Sequence, residues 1–179
     1  MSPPPNPHRR SSRRVFEGKV LALDVDEVEE PGGIRAVREV VRHRGSVAVL
    51  PVHEDGRVVL VRQYRYAVND EVWEVPAGRL DPGETPEEGA AREMEEEVGL
   101  RAGRLDLLVS LYTTPGFCDE VIHVFRGTQL AAVPPRPEAD ERIEARIVTR
   151  EEASAMIRRG EIREAKTLVA LLWERVPGA

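Results

Sequence analysis

The sequence predicts a layered domain of the α/β or α+β class, and three observations carry that reading. Segments with strand character outnumber helical ones, the helical segments come singly or at the C-terminal end, and the strongest helix carries start and stop signals at both ends. Val15 to Val28 alternates apolar and polar residues and reads as one or two strands. Glu29-Glu30-Pro31-Gly32-Gly33 is a turn, and Ile34 to His43 reads as the returning strand of a hairpin. Ser46 to Val52 is an apolar strand. Arg57 to Tyr64 is its hairpin partner across the turn His53-Glu54-Asp55-Gly56. Glu71 to Val75 is a short strand stopped by Pro76, and a Gly/Pro-rich loop leads into a helix over Pro86 to Val98. Strands are expected over Leu105 to Tyr112, Val121 to Arg126 and Ile143 to Val148. Helices are expected over Arg150 to Arg159 and Glu164 to Glu174. Thr128 to Glu141 lacks periodicity, contains several prolines and reads as a mobile loop.

Composition narrows the function. The 179 residues suit one domain with a short extension, and the 41% hydrophobic and 32% charged fractions suit a globular fold. A net charge of -6 gives no overall basic field for nucleic acid, so none is expected as a partner. Met1 to Arg14 is rich in Pro, Ser and Arg, carries no acid and is expected to be a disordered basic tail. With Cys118 as the sole cysteine no intrachain disulfide forms, and no apolar run approaches the roughly 20 residues of a membrane span. Cytoplasmic placement is expected. His8, His43, His53 and His123 are widely spaced and form no zinc pattern with Cys118.

The chemistry concentrates on the 86–98 helix. Thr85 and Glu88 form a Thr-x-x-Glu capping box, Pro86 occupies the first position and Gly99 follows the end. Ala90, Ala91, Met94 and Val98 make an apolar stripe. Glu93, Glu96 and Glu97 share another face at i, i+3 and i+4, where like charges repel by a few tenths of a kcal/mol per pair. An acidic helix face is most often a solvated one. Here the loop flanked by Ala77-Gly78 and Pro82-Gly83 brings a further carboxylate, Glu84, to the helix start, which a solvated face does not require. The functional alternative is a site for a hard divalent cation, whose ligands are carboxylate and carbonyl oxygens and water.

Gly78, Glu84 and the run Arg92-Glu93-Met94-Glu95-Glu96-Glu97-Val98-Gly99-Leu100 match every fixed position of the Nudix box. The chain therefore resembles the Nudix hydrolases. Pro115-Gly116-Phe117 with Glu120, and Val61-Arg62-Gln63-Tyr64-Arg65 upstream, are similar to the ADP-ribose pyrophosphatase branch. The resemblance implies an α/β/α sandwich with a mixed sheet over 45–179, and an N-terminal strand extension over 15–44 that is exchanged in a homodimer. It implies Mg2+ or Mn2+ held by Glu93, Glu96, Glu97 and the Ala77 carbonyl. Glu96 and Glu97 would also serve catalysis, and Gly78, Glu84, Arg92 and Gly99 would be structural within the motif. Glu141, on the loop after the box, is the implied catalytic base, with Glu138 and Asp140 beside it. The substrate contacts implied are Arg65, Glu74, Thr114, Gly116, Glu120 and, from the partner chain, Arg38 and Glu39. For Glu74 a structural ion pair is the competing reading, because a buried strand acid needs a partner.

The implied reaction is hydrolysis of ADP-ribose to AMP and ribose 5-phosphate. Another nucleoside diphosphate derivative, such as GDP-mannose or FAD, is the alternative substrate. A non-catalytic nucleotide-sugar sensor is the third reading, disfavoured because every box carboxylate is present.

Overall fold

The computed structural model describes residues 6–134, 136 and 142–176. The chain divides into two compact units, Met1–Gly45 with Leu111–Val121, and Ser46–Ser110 with Ile122–Ala179.

The first unit is an antiparallel meander of β1 (Arg9–Glu17), β2 (Ala22–Glu30) and β3 (Ile34–Arg42), with β2 in the middle. The hairpin expected over 15–43 is thus three-stranded, and the expectation of disorder through Arg14 fails from Arg9 onward. The physical reason is charge complementarity across the strand pair. The basic residues of β1 face the acids of β2: Arg10 bonds Glu29, Ser11 donates to Glu27 at 2.9 Å, and Arg14 donates to Asp24 at 2.5 Å. Composition alone reads a Pro/Ser/Arg stretch as unable to bury apolar surface. Every residue of β1 is indeed exposed, and the strand is held by backbone ladder and ion pairs instead. On β2 alternation places Ala22, Asp24, Asp26 and Val28 on the buried face.

The second unit contains β4 (Ser46–Pro51), β5 (Val58–Arg65), β6 (Asp70–Glu74), β7 (Ala77–Arg79), α1 (Pro86–Val98), β8 (Leu100–Tyr112) up to Ser110, β9 (Val121–Ala132) from Ile122, β10 (Ile143–Val148), α2 (Arg150–Arg158) and α3 (Ala165–Trp173). One sheet runs β7-β4-β9-β8, with β4 parallel to β9 and antiparallel to β7. A second runs β10-β5-β6 and is antiparallel. This is the mixed α/β architecture expected. All six residues of β4 are buried, because both α1 and α3 pack against it, and such a strand reads as a continuous apolar run. Val47 and Val49 join Leu80, Ala90, Met94 and Phe125 in one core cluster, which seats α1 on the sheet by its apolar stripe. At the other end Thr167 of α3, fully buried, accepts the Val75 N–H at 2.9 Å and ties α3 to the end of β6.

Most element ends fall within a residue or two of expectation, but β7 is a strand where a Gly/Pro-rich loop was expected, and the limits of β8 and β9 differ further. β8 begins at Leu100, directly after the helix stop. β9 continues to Ala132, so Thr128 to Ala132 is strand and not loop. Beyond it the Val133 N–H donates to the Gly99 carbonyl at 2.9 Å and the Arg136 N–H to the Glu96 carbonyl at 3.2 Å. Glu138, Asp140 and Glu141 lie outside the described residues.

Candidate functional site

Helix α1 forms as its sequence dictates. The Thr85 hydroxyl accepts the Glu88 N–H at 3.3 Å, and the Glu88 carboxylate accepts the Thr85 N–H at 2.8 Å. Gly99 ends the helix in the left-handed region at φ 63, where a residue without Cβ is unstrained. This fixes the register that puts Glu93 and Glu97 one turn apart.

Both of these carboxylates are buried, Glu93 at 9% and Glu97 at 7% exposure. The sheet side of α1 explains how. The Ala77 N–H at the start of β7 donates to Glu97 Oε2 at 3.1 Å. The Glu93 carboxylate lies directly over Gly78, where any Cβ would overlap it. Gly78 is therefore a glycine because β7 and the Glu93 head share one space. Glu96, on the outer edge of the same face, is half-buried.

Arg92 organises the acids. Its Nε and Nη2 grip Glu84 at 2.8 and 3.0 Å, its Nη1 donates to Glu93 Oε1 at 2.7 Å and to Glu96 Oε2 at 3.0 Å, and Nη2 also reaches the Arg79 carbonyl at 3.0 Å. Glu84 in turn accepts the Asp81 N–H at 2.9 Å, which closes the loop onto the helix. Hydrogen bonds from Arg92 hold the Glu84 carboxyl below the usual range, and those to Glu84 push the Arg92 guanidinium further up.

One guanidinium thus touches three carboxylates, and Glu97 stands a turn from Glu93. Such a surplus of partly buried negative charge is costly without cations. Among the described residues no three His, Cys, Asp or Glu side chains converge into a closed metal-binding group. In the arrangement seen, Arg92 is the cation between Glu93 and Glu96. The donor chemistry nonetheless fits magnesium, which binds carboxylate oxygens through a few protein ligands and retains several waters.

A second cluster stands at the end of β5 and β6. Glu74, 1% exposed, receives Arg65 Nε at 2.8 Å and Nη2 at 2.7 Å, and Lys166 Nζ at 2.5 Å. Burial pushes the Glu74 carboxyl up, but the Arg65 hydrogen bonds and the Lys166 charge outweigh it and leave it low. The ion pair weighed against a substrate role for Glu74 is therefore present. Lys166 was not anticipated, and its signal was faint: it is one of two lysines in a chain whose other basic residues are arginine.

The remaining expected substrate contacts belong to the first unit. Arg38 pairs with Glu30 at 2.8 Å, and Glu39 stands opposite Val25 on β3. Thr114 accepts the N–H groups of Phe117 and Cys118 at 3.2 and 3.0 Å, making the turn that contains Gly116. Glu120 lies 3.3 Å from His43 Nδ1. Sequence reasoning missed what holds this turn. Asp119 accepts the His43 N–H at 2.8 Å and Arg42 Nη1 at 3.3 Å, while Arg42 also pairs with buried Asp24 and Asp26.

A buried two-carboxylate helix face closed by a glycine strand and an arginine clasp defines a class, and sequence comparison agrees with it. The family model for the NUDIX domain matches residues 42–171, and the chain belongs to the Nudix family. It is 40% identical over 163 residues to the ADP-ribose pyrophosphatase of Bacillus subtilis (strain 168), a match spanning 90% of this chain and 88% of that protein. It is also 37% identical over 162 residues to the methanol dehydrogenase activator of Bacillus methanolicus, spanning 89% of this chain and 88% of that one. A crystal structure of an ADP compounds hydrolase shares the fold, with a TM-score of 0.81 at 22% identity over 93% of this chain and 91% of its own.

Proposed function

We propose that the protein hydrolyses the pyrophosphate bond of ADP-ribose, releasing AMP and ribose 5-phosphate, with Mg2+ or Mn2+ as cofactor. The observation that carries this is the pair of buried carboxylates, Glu93 and Glu97, fixed one turn apart on α1 by Gly78, Ala77 and Arg92. In this reading Glu93, Glu96, Glu97 and the Ala77 carbonyl hold the metal. When bound, it offsets the diphosphate charge and acidifies bound water.

The protein's own groups do the rest. Arg92 keeps the carboxylates oriented, and Arg65 orients the diphosphate by bidentate hydrogen bonding. Glu97 and Glu96 orient the attacking water, and Glu141 takes its proton as general base. Thr114, Gly116 and Glu120 recognise the sugar side of the substrate. Arg38 and Glu39 contact the adenosine bound by the partner chain of a homodimer. Neither nucleic acid nor membrane is a partner in this reading, and the location is the cytoplasm. No helix among the described residues is long and apolar enough to cross a membrane. The names of relatives support the substrate, since the Bacillus subtilis protein matched over most of both chains is an ADP-ribose pyrophosphatase.

A panel of nucleoside diphosphate derivatives, incubated with and without Mg2+ and resolved by product, tests the proposal. Metal-dependent release of AMP, fastest from ADP-ribose, is expected. Turnover of GDP-mannose or FAD alone refutes the substrate, and binding of all panel members without cleavage refutes the enzyme.

A further inference from the structure

Glu74 and Lys166 are 92 positions apart in the chain, yet the Lys166 Nζ shares Glu74 Oε2 with Arg65. The three side chains are unequally exposed: 1% for Glu74, 11% for Lys166 and 39% for Arg65. A guanidinium offers two forked edges. Arg65 spends the Nε/Nη2 edge on Glu74, which fixes the direction of its remaining, outward part. An Arg–Glu pair taken alone is neutral, and an exposed edge within it attracts an anion weakly. Lys166 restores positive charge from beneath. Glu164, 3.2 Å from Lys166, balances that charge, so the role left to Lys166 is to hold the geometry of Glu74 and Arg65. Its carboxylate is already engaged as the cap of α3, accepting the Lys166 and Thr167 N–H groups at 3.1 and 3.0 Å and the Thr167 hydroxyl at 2.9 Å. Three residues beyond Glu74, the Ala77 N–H donates to Glu97 of α1 at 3.1 Å, which ties this stretch of chain to the acidic helix.

We propose that Lys166 is a positioning residue: by holding Oε2 of the buried Glu74 carboxylate, it keeps Arg65 oriented toward a diphosphate. The residue type suits the task. A compact ammonium with three donors bridges Glu74 and Glu164 from two elements while only 11% exposed. Twenty-four of the 26 basic side chains in the sequence are arginine, and this position is one of the two exceptions. The inference rests on the proposed diphosphate chemistry, but its test does not require cleavage.

Inorganic pyrophosphate in EDTA is the probe, titrated by calorimetry into the full chain. Lys166→Met, which keeps an unbranched apolar stem, is expected to weaken binding about tenfold, the scale of coupling between contacting groups. It is expected to raise KM for ADP-ribose by a similar factor with kcat nearly unchanged. In a Glu74→Gln background the same substitution is expected to change pyrophosphate affinity less than about twofold, because Lys166 acts through that carboxylate. Lys166→Gln replaces the Met variant if the latter fails to fold. Unaltered pyrophosphate affinity in Lys166→Met, even with a lowered Tm, overturns the proposal and leaves a purely structural ion pair. A tenfold loss that persists in the Glu74→Gln background also overturns it, since Lys166 would then meet the anion itself. So does a wild-type chain that does not bind pyrophosphate. Failure of the wild type to cleave ADP-ribose counts against the proposed function alone, and the calorimetric result still decides the role of Lys166.

Discussion

Replacing Gly78 by alanine adds one methyl group in the space now filled by the Glu93 carboxylate. The backbone there is not left-handed, so the effect is steric and falls on Glu93. The strand cannot retreat without breaking its ladder to β4, where Gly78 stands opposite Val47 in the core. The carboxylate must therefore swing away from the sheet and lose its 2.7 Å hydrogen bond from Arg92. A charge-assisted hydrogen bond is worth about 1.5–3 kcal/mol when intact. Arg92 keeps Glu84 and Glu96, so a net loss of about 1–2 kcal/mol is expected, or about 2–8 °C in Tm for a domain of this size. The effect on metal is larger in proportion. Displacing one carboxylate of the set should raise the Mg2+ concentration for half-maximal activity about 10- to 100-fold, the range seen when groups that orient metal ligands are lost. Differential scanning fluorimetry and a magnesium titration of ADP-ribose hydrolysis read both quantities. Wild-type magnesium dependence in Gly78→Ala would refute the reasoning, because Glu93 would have moved without consequence for the metal.

Other outcomes follow from the same geometry. Glu97→Gln keeps shape and an oxygen acceptor for the Ala77 N–H, so kcat should fall about a hundredfold or more while Tm shifts by a few degrees at most. A kcat near wild type would remove Glu97 from the chemistry. Thr167→Val deletes the acceptor of the buried Val75 N–H, which should cost about 1–3 kcal/mol in urea denaturation; an unchanged midpoint would show that α3 does not depend on this bond. Stability against pH should fall on the acid side. Glu74 and Glu84 are held low in the folded chain, so their contribution is complete above the ordinary carboxylate range and is lost as pH drops through their folded values. Urea midpoints measured from neutrality into acid should show this decline, and Glu74→Gln should flatten part of it. An acid limb identical in that variant would contradict the assignment.

Much of α1 was legible in the sequence because its determinants are local. A Thr-x-x-Glu box, a first-turn proline and a terminal glycine set where α1 starts and stops, and the 3.6-residue period then places Glu93 and Glu97 together. The competition between a solvated acidic face and a buried one was not resolvable from residues 86–98 alone, since burial depends on β7 lying against them. The basic N-terminal stretch misled for the same kind of reason. Arg10 and Arg14 look like a disordered polycation until β2 supplies Glu29 and Asp24 across the ladder. The turn at Thr114 was recognisable by its Pro-Gly signal, but its attachment was not, because Asp119 finds Arg42 and the His43 amide far back in the chain.

By itself, then, the sequence determined the mixed α/β class, the limits of α1 and the alignment of its acids, all of which depend on neighbours within a few turns of chain. Tertiary structure decided the rest. It sank Glu93 onto Gly78, joined β1 to β2 and brought Lys166 under Glu74. Side chains separated by tens of residues meet only when the chain between them has closed, and no local periodicity records where that closure brings a charge.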